Sequence, residues 1–236
     1  MVAILIVLTI VGFVVADALI QRSKVRQARA AEPDRGQVGK SATPRYVFEN
    51  LDLPQGVFVA PGHTWLSVDS SGTARVGLDD FAQRVIGRID AVELPQVGTE
   101  VRRGDRLFAV RQGKRLAEFS SPVDAVVQSV NEVLTGNTEQ LKANPFGQGW
   151  VCALNPSNLA RDLKGLSIAE EAREWLGREV QRFLSFIVAR PAEHMALGHV
   201  LQDGGELSVG LLEMLDDETW GQFNQRFLKE KETKVS

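Results

Sequence analysis

Short apolar runs separated by turn residues fill the middle of the chain, and from Ser167 a three- and four-residue apolar period replaces them. Tyr46-Val47-Phe48 and Val57-Phe58-Val59 are β-type runs on either side of Asp52-Leu53-Pro54-Gln55-Gly56. Thr64 to Val76 predicts a hairpin: Trp65, Leu66 and Val68, then Asp69-Ser70-Ser71-Gly72, then Ala74 to Val76. Leu78 to Val85 predicts a helical turn or two, with Asp79 as its cap. Ile86 to Leu94 returns to a strand that Pro95 ends. Val97 to Val101 predicts another, stopped at Arg103-Gly104-Asp105. Leu107 to Val110 and Leu116 to Phe119 flank the polar stretch Arg111-Gln112-Gly113-Lys114-Arg115, which puts Lys114 at the tip of a hairpin. Strands over Val123 to Val130 and Trp150 to Leu154 follow, with a loop and short helix over Glu132 to Lys142 between them. Many short strands with turns between them predict a β sandwich or flattened barrel.

The later period predicts a helix. Ile168, Ala172, Trp175, Leu176, Val180, Phe183, Leu184 and Ile187 share one face, and the helix stops before Pro191. Ser167 and Glu170 have the spacing of a capping box at its start. A shorter segment runs from Ala192 to Leu201. A last helix, from about Asp217 to Lys231, carries Trp220, Phe223 and Phe227 on one side. Such a stripe is expected to pack against its own domain.

Met1 to Ile20 is apolar except for Thr9 and Asp17. A run of that length matches the roughly 20 helical residues that cross a bilayer core of about 30 Å. No charge precedes the run, and Arg22, Lys24, Arg26 and Arg29 follow it, so the positive-inside rule puts the rest of the chain in the cytoplasm. The expected organisation is a transmembrane anchor at 1–21, a cytoplasmic linker at 22–45, a β domain at 46–166 and a helical extension at 167–236. The expected location is the cell inner membrane, crossed once.

Composition adds mainly exclusions. In 236 residues the net charge is -3, which gives no electrostatic footprint for nucleic acid. The single cysteine, Cys152, has no internal disulfide partner, and its apolar run predicts a buried strand position. His63, His194 and His199 are scattered, with no metal-ligand spacing. No nucleophile–base order and no phosphate-binding glycine loop is present, so the residues predict a non-enzyme.

The middle of the chain resembles the glycine cleavage system H protein, a member of the lipoyl/biotinyl carrier superfamily. The resemblance runs in order through Gly62-His63-Thr64-Trp65, Val76-Gly77-Leu78-Asp79-Asp80-Phe81-Ala82-Gln83 and Val92-Glu93-Leu94-Pro95-Gln96-Val97-Gly98-Thr99-Glu100-Val101. It continues through Ser121-Pro122-Val123, Val130-Asn131-Glu132, Asn144-Pro145-Phe146-Gly147 and Gly149-Trp150. It implies a carrier-type barrel-sandwich with Lys114 at the lipoyl-lysine position and lipoate as its covalent cofactor. It also implies glycine decarboxylase, an aminomethyltransferase, dihydrolipoyl dehydrogenase and a lipoyl ligase or transferase as partners. The family has Glu-Ser-Val before that lysine where this chain has Arg111-Gln112-Gly113, a basic tip in place of an acidic one. The alternative expectation is therefore a non-lipoylated scaffold that docks partners at the membrane through its C-terminal helices.

Overall fold

The computed structural model describes residues 53–190 and 209–229. The apolar N-terminal run, the linker, the strand expected at Tyr46 to Phe48 and the segment from Ala192 to Leu201 lie outside the described residues. Among the described residues, no helix is long and apolar enough to cross a membrane.

The described strands form two antiparallel sheets around one core. The strands are β1 (Val57–Val59), β2 (Thr64–Val68), β3 (Ala74–Leu78), β4 (Ala91–Glu93) and β5 (Glu100–Val101), then β6 (Arg106–Gln112), β7 (Arg115–Ser120), β8 (Ala125–Val130), β9 (Cys152–Pro156) and β10 (Ser167–Ile168). One sheet has seven strands in the order β10-β1-β2-β3-β9-β8-β5, and the other has three in the order β4-β6-β7. This is the mainly β fold expected from the short-strand pattern.

Local chemistry explains most of the elements. The β2–β3 hairpin turns at Asp69, whose carboxylate accepts from the N–H of Ser71 at 2.8 Å and of Thr73 at 3.2 Å. Trp65 stands directly across from Gly77. A Cβ at Gly77 would come within 2.7 Å of the Trp65 indole nitrogen, so only glycine leaves room for that ring. Helix α1 (Asp80–Ile86) is capped as expected: Asp79 Oδ1 accepts from the Ala82 N–H at 2.8 Å. Cys152 is buried in β9, and burial pushes its thiol up to about 12, which removes it from thiolate chemistry. Two shorter helices, α2 (Gln140–Ala143) and α3 (Leu159–Asp162), sit in the connections around β9.

Three expectations need correction. The strand from Val97 to Val101 is reduced to Glu100–Val101, because Val97 and Gly98 form a turn, with Gly98 at φ 86°. The strand from Ile86 to Leu94 is only Ala91–Glu93; helix α1 takes Ile86, and Gly87 ends that helix at φ 78°. Ser167 does not cap the long helix. Its backbone pairs with Val59 and that of Ile168 with Phe58, so β10 extends the large sheet across the boundary expected at 166. The helix, α4 (Ala169–Val188), starts after this pairing, with no side-chain cap. Backbone committed to a strand ladder is not free to adopt the cap geometry that a capping box needs.

The C-terminal segment starts with a 3-10 turn at Leu211–Met214, continues as α5 (Asp217–Phe223) and ends in a π turn at Asn224–Leu228. Asp216 caps α5, and that bond from the Thr219 N–H holds its carboxyl below the usual range. Trp220, Phe223 and Phe227 face inward and are buried, as expected for a packing stripe. Phe183 of α4 is at the centre of this cluster. Its ring centroid lies 5.8 Å from Phe81 of α1, 5.8 Å from Phe223 and 5.7 Å from Phe227, each nearly edge-to-face.

Phe183 joins α1, α4 and the C-terminal segment, and its side chain is fully buried. Phe183→Ala is expected to cost about 3–5 kcal/mol, the usual loss for emptying an aromatic site, read as a lower urea midpoint with an unchanged slope.

Candidate functional site

The β6–β7 hairpin turns through two residues, Gly113 and Lys114, with Gln112 opposite Arg115. Gly113 is at φ 57° and Lys114 is outside the positive-φ region, the pattern of a II′ turn with glycine first. Lys114 is exposed at the tip, as the sequence places it. No carboxylate among the described residues pairs with its amine.

Each residue around the lysine is fixed to the body of the protein. Gln112 is buried and donates to the carbonyls of Ile86 at 3.0 Å and Arg88 at 2.7 Å. The N–H of Gly113 donates to Asp90 at 2.6 Å, and Asp90 also holds Arg88 at 2.9 Å. Arg111 pairs with Glu93 across the sheet, and Glu93 also holds Arg106 at 2.6 Å. Arg115 turns to the C-terminal segment. Its guanidinium donates to Asp217 Oδ1 at 2.6 Å and to the carbonyls of Leu212 at 3.0 Å and Leu215 at 2.7 Å. It also lies 5.4 Å from the Trp220 ring centroid. The tip that reads as basic in sequence is therefore largely neutralised in space: Arg111 and Arg115 each have a carboxylate, and Lys114 has none among the described residues.

β7 is an edge strand, and the C-terminal segment covers part of that edge. The Leu116 carbonyl accepts from Trp220 Nε1 at 3.1 Å and from Asn224 Nδ2 at 2.7 Å. An uncovered edge carbonyl is a template for a foreign strand, and these donors occupy it. The same segment reaches α1, where the N–H of Gly210 donates to the Arg84 carbonyl at 2.7 Å and Glu213 accepts from the N–H of Arg88 at 2.5 Å.

A second cluster, not anticipated from sequence, is buried behind the large sheet. His63 is fully buried at φ 59°, a left-handed conformation in which histidine is enriched. Its Nδ1 is 2.8 Å from Asp79 Oδ2, and its Nε2 is 3.6 Å from Glu179 Oε2, an ion pair too long for a hydrogen bond. The ring stacks on Phe81 at 4.4 Å and lies 5.0 Å from Trp175. Burial alone lowers the imidazole pKa, but Asp79 and then Glu179 outweigh it, and the net value is about 9. A protonated His63 thus ties α4 to α1 and β2. Its full burial closes it to substrate, so the cluster is structural. The His63-Thr64-Trp65 motif was visible in the sequence, but its partner Glu179 was too distant to be found by spacing.

Sequence comparison matches the β domain and the start of α4 to a known family. The family profile described as Glycine cleavage H-protein matches residues 58–179. A probable glycine cleavage system H protein of Pyrococcus horikoshii is 38% identical over 124 residues, covering 52% of this chain and 92% of the relative. A glycine cleavage system H protein of Psychrobacter sp. is 34% identical over 120 residues, covering 51% of this chain and 94% of the relative. A crystal structure of a glycine cleavage system H protein from Mycobacterium marinum aligns with a TM-score of 0.45 at 22% identity, over 54% of this chain and 98% of that one. The chain belongs to the glycine cleavage H-protein family. Arg182 and the whole segment 209–229 lie beyond the matched residues.

Two outcomes follow from these contacts. A folded-state pKa raised from 6.5 to about 9 means that the His63 contribution is fully present below about pH 6.5 and is lost as pH rises through 9. On the order of 3 kcal/mol of stability should disappear across that window. Urea unfolding at stepped pH checks this, and His63→Gln should flatten the dependence. Arg115→Ala should weaken the C-terminal segment by about 2 kcal/mol, since it removes charge-assisted bonds to partly buried carbonyls. Arg115→Lys should recover only a part, because an ammonium cannot reproduce the fork. Hydrogen exchange across residues 211–224 reads both variants.

Proposed function

We propose that this protein is a membrane-tethered carrier that presents a lipoyl arm on Lys114 to partner enzymes. The observation that carries the reading is the state of Lys114. It is the exposed residue of a two-residue turn, its amine has no carboxylate partner among the described residues, and both neighbouring arginines are turned away into ion pairs. A ligase meeting this tip encounters one available amine rather than three competing cations.

Those residues fit the group. The Lys114 amine has the position and access to form an amide with lipoate, and the bound dithiolane would supply the reactive sulfurs. The chain's own contribution is position. Gly113 allows the tight turn, Gln112 and Asp90 fix its base, and Arg115 fixes its edge. A rigid tip raises the effective concentration of whatever the lysine carries at a partner's site. Family membership supports glycine decarboxylase, aminomethyltransferase and dihydrolipoyl dehydrogenase as the enzymes served, with a lipoyl ligase or transferase loading the lysine. The protein acts as a carrier rather than a catalyst. The apolar run at Met1 to Ile20 and the arginines and lysine after it support a single-pass anchor, with the carrier in the cytoplasm at the inner membrane.

A second reading, a scaffold without lipoate, draws on the segment 209–229, which lies beyond the family match and is fastened beside the hairpin. Its aromatic stripe is buried, so docking would have to use its charged outer face. The two readings separate on Lys114.

Incubation of the full chain with a lipoyl ligase, ATP and lipoate should add one lipoyl group, and Lys114→Arg should add none. A wild-type chain that stays unmodified while a control carrier is loaded would favour the scaffold. Alkaline carbonate washing of membranes should leave the full chain in the pellet and release a chain starting at Ala30. Release of the full chain would rule out the anchor.

A further inference from the structure

At the end of β7 away from Lys114 lies a cleft of about 1000 Å3. Its walls come from the turn at 103–106, the last residues of β7, the middle of α4 and the end of the C-terminal segment. Asp105, Glu118 and Glu179 line it, and each carboxylate is already engaged. Asp105 accepts from the N–H of Arg102 at 2.9 Å, Glu118 holds Arg106 at 3.2 Å, and Glu179 holds Arg182 at 2.8 Å with His63 behind it at 3.6 Å.

The lining cations outnumber these acids, five to three, with Arg103, Arg226 and Lys229 joining Arg106 and Arg182. Arg226 and Lys229 are exposed, and no carboxylate among the described residues pairs with either. The Arg226 backbone is held by Arg182, which donates to its carbonyl, and its guanidinium lies 5.3 Å from the Phe186 ring centroid. A concave surface with excess charge of one sign focuses its field on a ligand of the other sign. Guanidinium and ammonium groups recognise oxyanions through charge-assisted hydrogen bonds.

We propose that this cleft is a binding site for an oxyanion, a small ligand bearing a phosphate, sulfonate or carboxylate group, held by Arg226 and Lys229 beside Trp175. Both cations lie outside the family-matched residues, so the site is an addition made by the C-terminal segment. It goes beyond the carrier reading and does not depend on acylation of Lys114. The excess positive charge works against alkylammonium ligands in the same space.

The test uses the full chain carrying Lys114→Arg, in a non-ionic detergent, labelled with fluorotryptophan. Of the four tryptophans, Trp175 lines the cleft and the other three report on the rest of the fold. Inorganic phosphate, sulfate and acetate are titrated separately, with methylammonium chloride as the cation probe. At least one anion should shift the Trp175 signal to saturation, and the anion that binds most tightly identifies the ligand's head group. Binding should weaken with added NaCl and fall roughly tenfold or more in Arg226→Ala/Lys229→Ala, the loss expected when charge-assisted bonds are removed. Unmoved Trp65, Trp150 and Trp220 signals in that variant establish that it is folded; if they move, Arg226→Gln/Lys229→Gln replaces it. A Trp175 signal indifferent to all three anions, equal affinity in a folded double variant, or saturation by methylammonium instead would overturn the proposal.

Discussion

The tip of the β6–β7 hairpin is held to the body of the protein, and the Arg115 guanidinium provides the main hold. It comes from the residue next to Lys114 and reaches Asp217 and two carbonyls of a segment about a hundred residues away in sequence. That bond set fixes the free edge of the hairpin, covers an edge strand and aligns α5 so that Trp220 and Asn224 can meet the Leu116 carbonyl. On the opposite side, Gln112, Asp90 and Glu93 hold the base of the same turn. Lys114 is left as the one tip cation without a carboxylate among the described residues.

The family's hairpin is acidic before its lysine, and this chain's is basic. The structure reconciles the two. Glu93, which lies in the family-matched strand β4, takes Arg111, and Asp217, which lies beyond the match, takes Arg115. The arginine at 115 and the C-terminal segment are thus parts of one arrangement: without the segment, Arg115 would stand as a bare charge beside the lysine. The buried His63 cluster does related work behind the sheet. It joins α4 to the β2–β3 hairpin and α1 through charge, in a place where aromatic rings exclude water.

Much of this was legible in the sequence, for local reasons. The β2–β3 and β6–β7 hairpins announce themselves by short apolar runs and polar turns, and Asp79 announces α1 as a cap. Local signals failed where a long-range partner overrode them. Ser167 has the sequence of a cap but the backbone of a strand, because Val59 is there to pair with it. Val97 is apolar but sits in a turn, more than half exposed at 53%. Neither Arg115–Asp217 nor His63–Glu179 leaves any periodic trace, since each ion pair depends on how distant elements pack.

Whether Lys114 bears a lipoyl group in the cell separates the carrier from the scaffold. The most direct measurement is the intact mass of the protein from its native host, with peptide mapping across Arg111 to Arg115. A carrier shows the added mass of one lipoyl amide, placed on Lys114. An unmodified lysine, in cells whose other lipoyl proteins are fully loaded, would contradict the carrier reading and leave a scaffold built on a carrier fold.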